Sequence, residues 1–198
     1  MKKIAIEIEG VKPFLFHKFN IESLQQLSKV KSGSAGNDPE EWKISFFHNN
    51  GKLYIPSSYL NSALKNGAVN TKAGRGTLQK SWISAVQVEE EIIYFNREMF
   101  ENWEETPADK IPVDPLNPVY VDIRMVANPN TKGRNVRYRV ALASAWTLKF
   151  HLDVDDEILS VAQVKKVVID TGKLQGIADG RTLGYGRYKL NEFEIIED

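Results

Sequence analysis

Hydrophobic and polar residues alternate in two stretches of the chain, one near its beginning and one near its end. Ile4, Ile6 and Ile8 are separated by polar or small residues between positions 3 and 9, and the same period of two runs through residues 146–154. This period is typical of a strand that buries one face, because successive side chains point to opposite sides of a sheet. The pattern predicts two half-buried strands.

A different spacing predicts a helix after a short apolar stretch that ends at a proline. Leu60, Ala63 and the leucine that follows recur at three- and four-residue spacing, which places them on one helical face. Ser57 or Ser58 can cap the first turn of this helix, and Gly67 can end it.

A second helix is predicted from a capping box. Ser160 and Gln163 stand at the spacing at which each side chain can bond the other residue's backbone N–H. Val164 and Val167 then continue the buried stripe of a helix. After a glycine-rich loop, residues 185–196 are predicted to form a final strand.

The middle of the chain predicts a β-hairpin or a longer β finger. Two β-rich runs, 119–127 and 135–142, flank residues 128–133, which read Asn-Pro-Asn-Thr-Lys-Gly and favour a turn. Arg137 and Arg139 fall on one face of the second run. Both guanidinium groups can therefore reach one stretch of phosphate backbone.

The elements follow in the order strand, helix, hairpin region, strand, helix, strand, which is the order of a βαββαβ unit. We therefore predict an α+β protein with a ferredoxin-like (RRM-like) core, loop insertions and a β-hairpin thumb. Residues 66–80 are expected to be a loop, and residues 89–109 an acidic, irregular connection. We expect a single domain over residues 1–198, insertions at about 20–50 and 68–118, and the thumb at about 119–142.

Composition narrows the classes of function. The chain has 198 residues, of which 42% are hydrophobic and 26% are charged, as in a globular domain. It contains no cysteine, which excludes disulfides, a thiolate nucleophile and cysteine-ligated metals. Its three histidines lie far apart in the sequence, so we expect no metal site and no cofactor.

The first residues do not predict a targeting segment. Two lysines follow the initial methionine, but Glu7 and Glu9 interrupt the apolar stretch that a secretory signal needs. No run approaches the roughly 20 apolar residues of a membrane span. We therefore expect a soluble, cytoplasmic protein with no membrane partner.

Charge is balanced overall but unevenly distributed along the chain. Lys plus Arg and Asp plus Glu each number 26, so no net field steers the protein toward a polyanion. Residues 61–82 hold four bases and no acid, residues 122–150 hold six bases and one acid, and residues 89–109 hold eight acids and one base. Two local basic patches are thus predicted to bind a phosphate backbone. The alternatives are solvated loops without a partner, or hairpin arginines paired with the acids of 89–109.

Residues 176–188 form the most distinctive motif, Gly-Ile-Ala-Asp-Gly-Arg-Thr-Leu-Gly-Tyr-Gly-Arg-Tyr. Closely spaced glycines let a backbone approach a ligand or a neighbouring segment, and their N–H groups can bind phosphate; a turn needed only for packing is the alternative. Residues 52–64 read Lys-Leu-Tyr-Ile-Pro-Ser-Ser-Tyr-Leu-Asn-Ser-Ala-Leu. The two segments in this order resemble the paired signatures of the RAMP superfamily of CRISPR-associated proteins, a helix start of the form IPxSSLxxAL and a loop ending in GYGR.

This resemblance covers roughly the first 20 residues, 51–68 and 145–196, and is nearest to the backbone subunit of effector complexes or a phage-encoded relative. It implies non-catalytic binding of single-stranded RNA, or of DNA, in an assembly with further copies or other effector subunits. It also implies contacts through the first-helix region, the thumb and the glycine-rich loop. Together with the basic residues, the candidate nucleic-acid-binding residues are His17, Lys18, Lys65, Lys72, Arg75, Lys80, Arg124, Lys132, Arg134, Arg137, Arg139, Gly180, Arg181, Gly184, Tyr185, Gly186 and Arg187.

Two alternatives to RNA binding without catalysis remain open. The first is a metal-independent endoribonuclease, because related processing nucleases use a histidine near the end of the first strand as general base, the place of His17. A structural or phosphate-contacting role is favoured instead, because His17 is crowded by the apolar residues Phe14, Leu15, Phe16 and Phe19. Some backbone subunits cut RNA with a loop aspartate, for which Asp38 is the candidate, although turn formation explains that residue equally well. The second alternative is a phage-encoded protein–protein module that mimics an effector subunit through its acidic segment.

Overall fold

Twelve strands and three α-helices are found in the computed structural model, which describes residues 1–18, 38–127 and 133–197. The strands are β1 (Lys2–Gly10), β2 (Phe14–Leu15), β3 (His48–Asn49), β4 (Lys52–Pro56), β5 (Lys72–Ala73), β6 (Gly76–Thr77), β7 (Val86–Val88), β8 (Ile92–Glu98), β9 (Val119–Ala127), β10 (Arg134–Leu142), β11 (Thr147–Val154) and β12 (Tyr188–Glu197). The helices are α1 (Ser57–Gly67), α2 (Gln79–Ala85) and α3 (Val161–Asp170), and a π-helical turn, Thr171–Gln175, extends α3.

The central sheet has the strand order of a ferredoxin-like fold. Strand β1 lies between β12 and β11 and is antiparallel to both, and β7 pairs with the far side of β11. The chain runs through β1, α1, β7, β11, α3 and β12 in that order, which is a βαββαβ unit. The predicted α+β, ferredoxin-like fold class is confirmed.

The second strand of this unit is interrupted, and the sequence analysis placed it wrongly. Strand β7 pairs with one end of β11, while β8 pairs with the other end through Phe95 and Leu148. Residues 89–91 bulge between the two strands, and β4 and β3 extend the sheet beyond β8. Residues 89–109, expected to be an irregular connection, therefore supply a strand of the sheet. Three consecutive glutamates obscure the alternation that buries Ile93 and Phe95.

The core lies between the central sheet and the helices. Isoleucines of β1 and apolar residues of β11 pack there with the buried faces of α1 and α3, and each such side chain contributes about 1.5–3 kcal/mol when buried. Helix α3 begins with the predicted capping box of Ser160 and Gln163. The serine cap predicted for α1 is wrong, because Pro56 occupies the N-cap position and no side chain caps the helix.

Gly67 has a different role from the predicted helix stop. It has helical backbone angles and the chain continues into a 3₁₀ turn, Ala68–Asn70. A Cβ at Gly67 would lie 1.9 Å from Oγ1 of Thr171. The glycine is therefore needed for close packing of α1 against the turn that follows α3.

The predicted hairpin is present as β9 and β10, which pair from Val119 opposite Leu142 to Ala127 opposite Arg134. Strand β2 adds to β10, so these strands form a separate three-stranded sheet. The end of the hairpin at which Val119 lies opposite Leu142 is buried, whereas side chains closer to the tip, such as Met125, are exposed. Residues 128–132, which include the predicted tip and Lys132, lie outside the described residues.

The segment 66–80, expected to be a loop with little packing, is more ordered than predicted. It contains the small β5–β6 hairpin and leads into α2. Leu78, Trp82 and Ala85 are buried, because their spacing of four and three residues places them on one face of α2. This packing holds the basic residues of the segment on a folded surface.

Candidate nucleic-acid interface

A cavity of about 390 Å³ lies between the start of α1 and the glycine-rich loop. We call it the loop cavity. Its walls come from the two segments that carry the family resemblance, together with His17, two residues after β2. The lining residues are His17, Ser58, Tyr59, Ser62, Ala63, Ala178, Asp179 and Arg181.

Glycines hold the loop in the shape that forms this cavity. Gly184 and Gly186 both have positive φ, +89° and +68°, which a residue with a Cβ adopts only at a cost. A Cβ at Gly186 would lie 2.0 Å from the carbonyl oxygen of Ile177, whereas one at Gly184 would meet no atom within 4 Å. The N–H of Gly186 also donates to the carbonyl of Pro13 at 2.7 Å. The close approach of a neighbouring backbone segment, which glycine permits, is found at Gly186.

Asp179 is the central polar residue of the loop cavity, and the sequence analysis did not single it out. His17 Nδ1 lies 3.1 Å from Oδ2 of Asp179, and the Arg139 guanidinium binds the same oxygen. The hydrogen bond from His17, the backbone N–H of Gly180 and the charge of Arg139 together hold the pKa of Asp179 well below its usual value, against the opposing effect of burial. The sequence signal that could have identified Asp179 is its position as an acid between Gly176 and Gly180 of the motif.

The surroundings of Asp179 are strained and partly buried. Ala178 has φ of +65°, an unfavourable conformation for a residue with a Cβ, and such residues cluster at functional sites. The Tyr59 hydroxyl donates to the carbonyl of His17 at 2.9 Å. Burial, and next the charge of Asp179, raise the pKa of Tyr59. The cavity wall is therefore held by contacts between α1, the loop and residue 17.

His17 is more accessible than its neighbours suggested. Phe14, Leu15 and Phe16 are fully or almost fully buried, whereas the imidazole is 46% exposed. The expectation that these apolar neighbours crowd His17 is wrong, because they point into the core while the ring faces the loop cavity.

Three of the four arginines on the hairpin strands have an acidic partner. Arg124 binds Asp122 through two bonds of 2.6 and 2.5 Å, Arg137 pairs with Glu41, and Arg139 pairs with Asp179. The alternative that these arginines pair with the acids of 89–109 is wrong. The partners come from the hairpin itself, from the 3₁₀ turn Glu41–Ile44 and from the glycine-rich loop.

Tyr185, the aromatic residue among the candidates, already has partners within the protein. The Tyr185 hydroxyl donates to Asp122 at 2.9 Å, and its ring lies under the Arg124 guanidinium at 5.0 Å. Burial, followed by the bond to Asp122, raises the pKa of Tyr185. The neighbouring aromatic residue of the hairpin, Tyr138, packs against the core.

The cations of α1, β5, the turn after β5 and α2 differ from the hairpin arginines in exposure and in ion pairing. Lys65, Lys72, Arg75 and Lys80 are exposed, and none of the four forms an ion pair with a described residue. Lys65 lies on the face of α1 that carries Ser58 and Ser62, because residues three and four apart are neighbours on a helix. We call these four residues the α1–α2 cations. Lys65 extends the polar surface of α1 beyond the loop cavity.

The remaining predicted residues are dispersed. Lys18 lies over the ring of Phe47 at 5.4 Å, and Arg134 is exposed at the start of β10. Arg187 borders a different cleft. Asp38 is not part of the loop cavity, and its carboxylate accepts the N–H of Glu40 at 3.0 Å, a bond typical of turns.

One group of side chains has metal-ligating atoms close together. Atoms of Glu89, Glu90 and His151 lie within 4.8 Å of one another at the bulge between β7 and β8. Glu90 accepts bonds from the backbone and ring of His151, at 2.9 and 2.6 Å, and Lys3 binds Glu89 at 2.9 Å. The carboxylates therefore already have protein partners.

Comparison with known proteins shows the fold. No protein family and no curated protein matches the chain. A chain of a solved structure described as "Cryo-EM structure of the Type III-B Cmr-beta bound to cognate target RNA" is similar over 99% of this chain, with a TM-score of 0.52 and 16% identity. The present chain spans about 61% of the length of that chain. Among the described residues, no helix is long and apolar enough to span a membrane.

Proposed function

We propose that the protein binds single-stranded RNA through the phosphate backbone, without cleaving it, as a RAMP-type subunit of a CRISPR-type effector or a similar ribonucleoprotein assembly. The observation that carries this proposal is the loop cavity. It brings the start of α1 and the glycine-rich loop together, although they are more than a hundred residues apart in sequence. These are the two segments on which the family resemblance rests.

Charge supports the same proposal. Arg181 borders the loop cavity. Lys65 is exposed on the face of α1 that carries Ser58 and Ser62, and the other three α1–α2 cations are exposed later in the sequence. Unpaired cations on a folded surface attract a polyanion and release its counterions on binding.

The fold comparison supports an effector-type assembly. The similar chain belongs to a Type III-B Cmr-beta complex that is bound to target RNA. A subunit that repeats along RNA, or that joins other effector subunits, is the assembly we propose for this protein. Sedimentation of the protein with and without RNA tests it, and a monomer under both conditions at high concentration would oppose repeated assembly.

Binding of labelled, unstructured RNA over a series of salt concentrations tests the central claim. We expect affinity to fall steeply with salt and to vary little between base sequences. Lys65→Ala with Arg181→Ala should lower the log–log salt slope by about 1.4, since each lost contact to a single strand contributes about 0.7. Lys52→Ala with Lys110→Ala removes two exposed cations elsewhere and serves as the matched control. A strong preference for one short sequence at high salt would oppose backbone recognition, and the same series with DNA defines the polynucleotide.

The bond between His17 and Asp179 favours one second candidate, metal-independent RNA cleavage. A carboxylate that binds Nδ1 orients an imidazole and leaves Nε2 for proton transfer, as a general base requires. Hairpin RNA incubated with the protein in EDTA tests this candidate. Cleavage that His17→Ala abolishes, with the fold intact by circular dichroism, would support it. Intact RNA under conditions where the protein binds it would exclude it.

A further inference from the structure

A second and larger cavity lies at the opposite end of the glycine-rich loop. It has a volume of about 690 Å³ and runs between α3 and β12. We call it the edge cleft. Such a volume is within the range of ligand sites in proteins, about 300–1,000 Å³. The edge cleft shares no lining residue with the loop cavity.

The position of β12 gives the edge cleft a backbone wall. Strand β12 is at the edge of the sheet and pairs only with β1 within the described residues. Consecutive residues 187–191 all line the cleft. Because successive strand side chains point to opposite faces, a cavity that touches every residue follows the edge of the strand. Backbone N–H and C=O groups at a free edge can bind polar atoms of a ligand.

The rest of the lining is apolar and basic. Ile169, Leu190 and Phe193 form an apolar floor. No acid among the described residues lines the cleft, whereas the lining bases are Lys12, Lys165, Lys173, Arg187 and Lys189. Of these only Lys189 has an ion-pair partner among the described residues, Glu9 at 3.1 Å.

Arg187 carries a polar atom without a partner at the edge cleft. Its Nη1 atom is buried and has no hydrogen-bond partner among the described residues. A buried polar group without a partner costs free energy. The planar guanidinium fork matches a phosphate, to which it can donate two hydrogen bonds.

We infer that the edge cleft binds a nucleotide, with the base on the apolar floor against the edge of β12 and the phosphates on the lysines and Arg187. This ligand uses all three features of the site, since it combines a flat apolar ring with polar edges and several negative charges. The inference is independent of the proposed RNA contacts at the loop cavity. The source of the nucleotide is either a free nucleoside polyphosphate or the phosphorylated end of an RNA strand.

Calorimetry with ATP, adenosine and inorganic tripolyphosphate tests the inference. ATP should bind more tightly than either fragment, because each fragment uses only part of the cleft. Lys165→Glu with Lys173→Glu should weaken ATP binding by at least about tenfold, through loss of charge-assisted contacts. Lys52→Glu with Lys110→Glu changes the net charge equally outside the cleft, and ATP binding should then stay within about twofold.

Three results would overturn the inference: no ATP binding, equal binding of tripolyphosphate and ATP, or unchanged binding by the cleft variant. Tighter binding of a hexaglutamate peptide than of ATP would overturn it too, in favour of an acidic protein partner. Photo-crosslinking with 8-azido-ATP should label α3 or residues 187–193, which provides a readout if the variant is unstable; labelling elsewhere contradicts the site.

Two further experiments identify the source of the ligand and distinguish this inference from the proposed RNA contacts. A 5′-phosphorylated RNA tetranucleotide that displaces ATP indicates an RNA end, and one that does not indicates a free nucleotide. Lys65→Ala with Arg181→Ala should leave ATP binding unchanged. Loss of RNA binding with retained ATP binding would therefore count against the proposed RNA contacts alone, and the reverse result against the edge cleft alone.

Discussion

The two basic regions of the chain have similar charge in the sequence but different roles in the structure. In the hairpin, Arg124, Arg137 and Arg139 each pair with an acid, and the Arg139 side chain is only 8% exposed. The α1–α2 cations are exposed and form no ion pair with a described residue. The hairpin arginines therefore stabilise the fold, while the α1–α2 cations are available to a ligand.

This difference shows that a count of charges does not measure the charge that a ligand meets. An arginine that already binds a carboxylate must break that contact before it can bind phosphate, and the carboxylate repels the phosphate as well. The hairpin brings its own acid, Asp122, and lies beside Glu41 and Asp179. No acid is present between residues 61 and 82.

Replacing all four α1–α2 cations by alanine should have the largest effect. We expect RNA affinity to fall about a hundredfold, or about 2.7 kcal/mol, and the log–log salt slope to fall by about 3. Each substitution should change the free energy of unfolding by less than about 0.5 kcal/mol, since surface positions tolerate change. Binding titrations and urea unfolding measure the two quantities. Unchanged RNA binding would remove these residues from the interface.

Arg139→Ala should have the opposite result, a loss of stability without a direct loss of RNA contacts. The substitution removes a buried guanidinium and leaves the partly exposed Asp179 without its arginine, and we expect a loss of about 2 kcal/mol in the free energy of unfolding. Urea unfolding measures the loss. Arg134→Ala, at an exposed position of the same strand, should have almost no effect and serves as control. If Arg139→Ala kept its stability and lost RNA binding, the hairpin would contact RNA directly and the contrast between the regions would fail.

The glycine-rich loop supplies the acid that pairs with Arg139. Variants that strain this loop therefore test how far its conformation contributes to stability. Gly184→Ala should cost about 1 kcal/mol through its positive φ alone. Gly186→Ala should cost at least about 1 kcal/mol more, because its Cβ would also clash with the backbone of Ile177. Thermal unfolding of the two variants compares them directly. Equal losses would show that the loop adjusts without strain at Gly186.

The pH dependence of stability should give the smallest effect. The pKa of Asp179 is lowered in the folded protein, so its contribution is present above the unfolded value of about 3.9 and is lost as pH falls toward the folded value. We therefore expect wild type to be more stable than Asp179→Asn at pH 5, and the gap to narrow below about pH 4. Unfolding curves across this range measure it; a gap that widens on acidification would contradict the assigned contacts.

Sequence patterns were sufficient for the elements that depend on local contacts. Strand β1, strand β11 and the capping box of α3 were predicted correctly, because period and capping depend on residues within a few positions of one another. The β7–β8 strand was missed. Its buried Ile93 and Phe95 follow three glutamates, and only pairing with β11 makes the segment a strand of the sheet.

The candidate site likewise has parts that depend on local contacts and parts that depend on distant ones. The sequence by itself determined the glycine-rich loop and the start of α1, since backbone freedom at glycine and helical spacing are properties of short segments. Only the tertiary structure decided that Asp179 meets His17, 162 residues away, and Arg139, 40 residues away. It also decided which cations stay free, because a cation finds its acidic partner through the packing of distant strands, which no local pattern specifies.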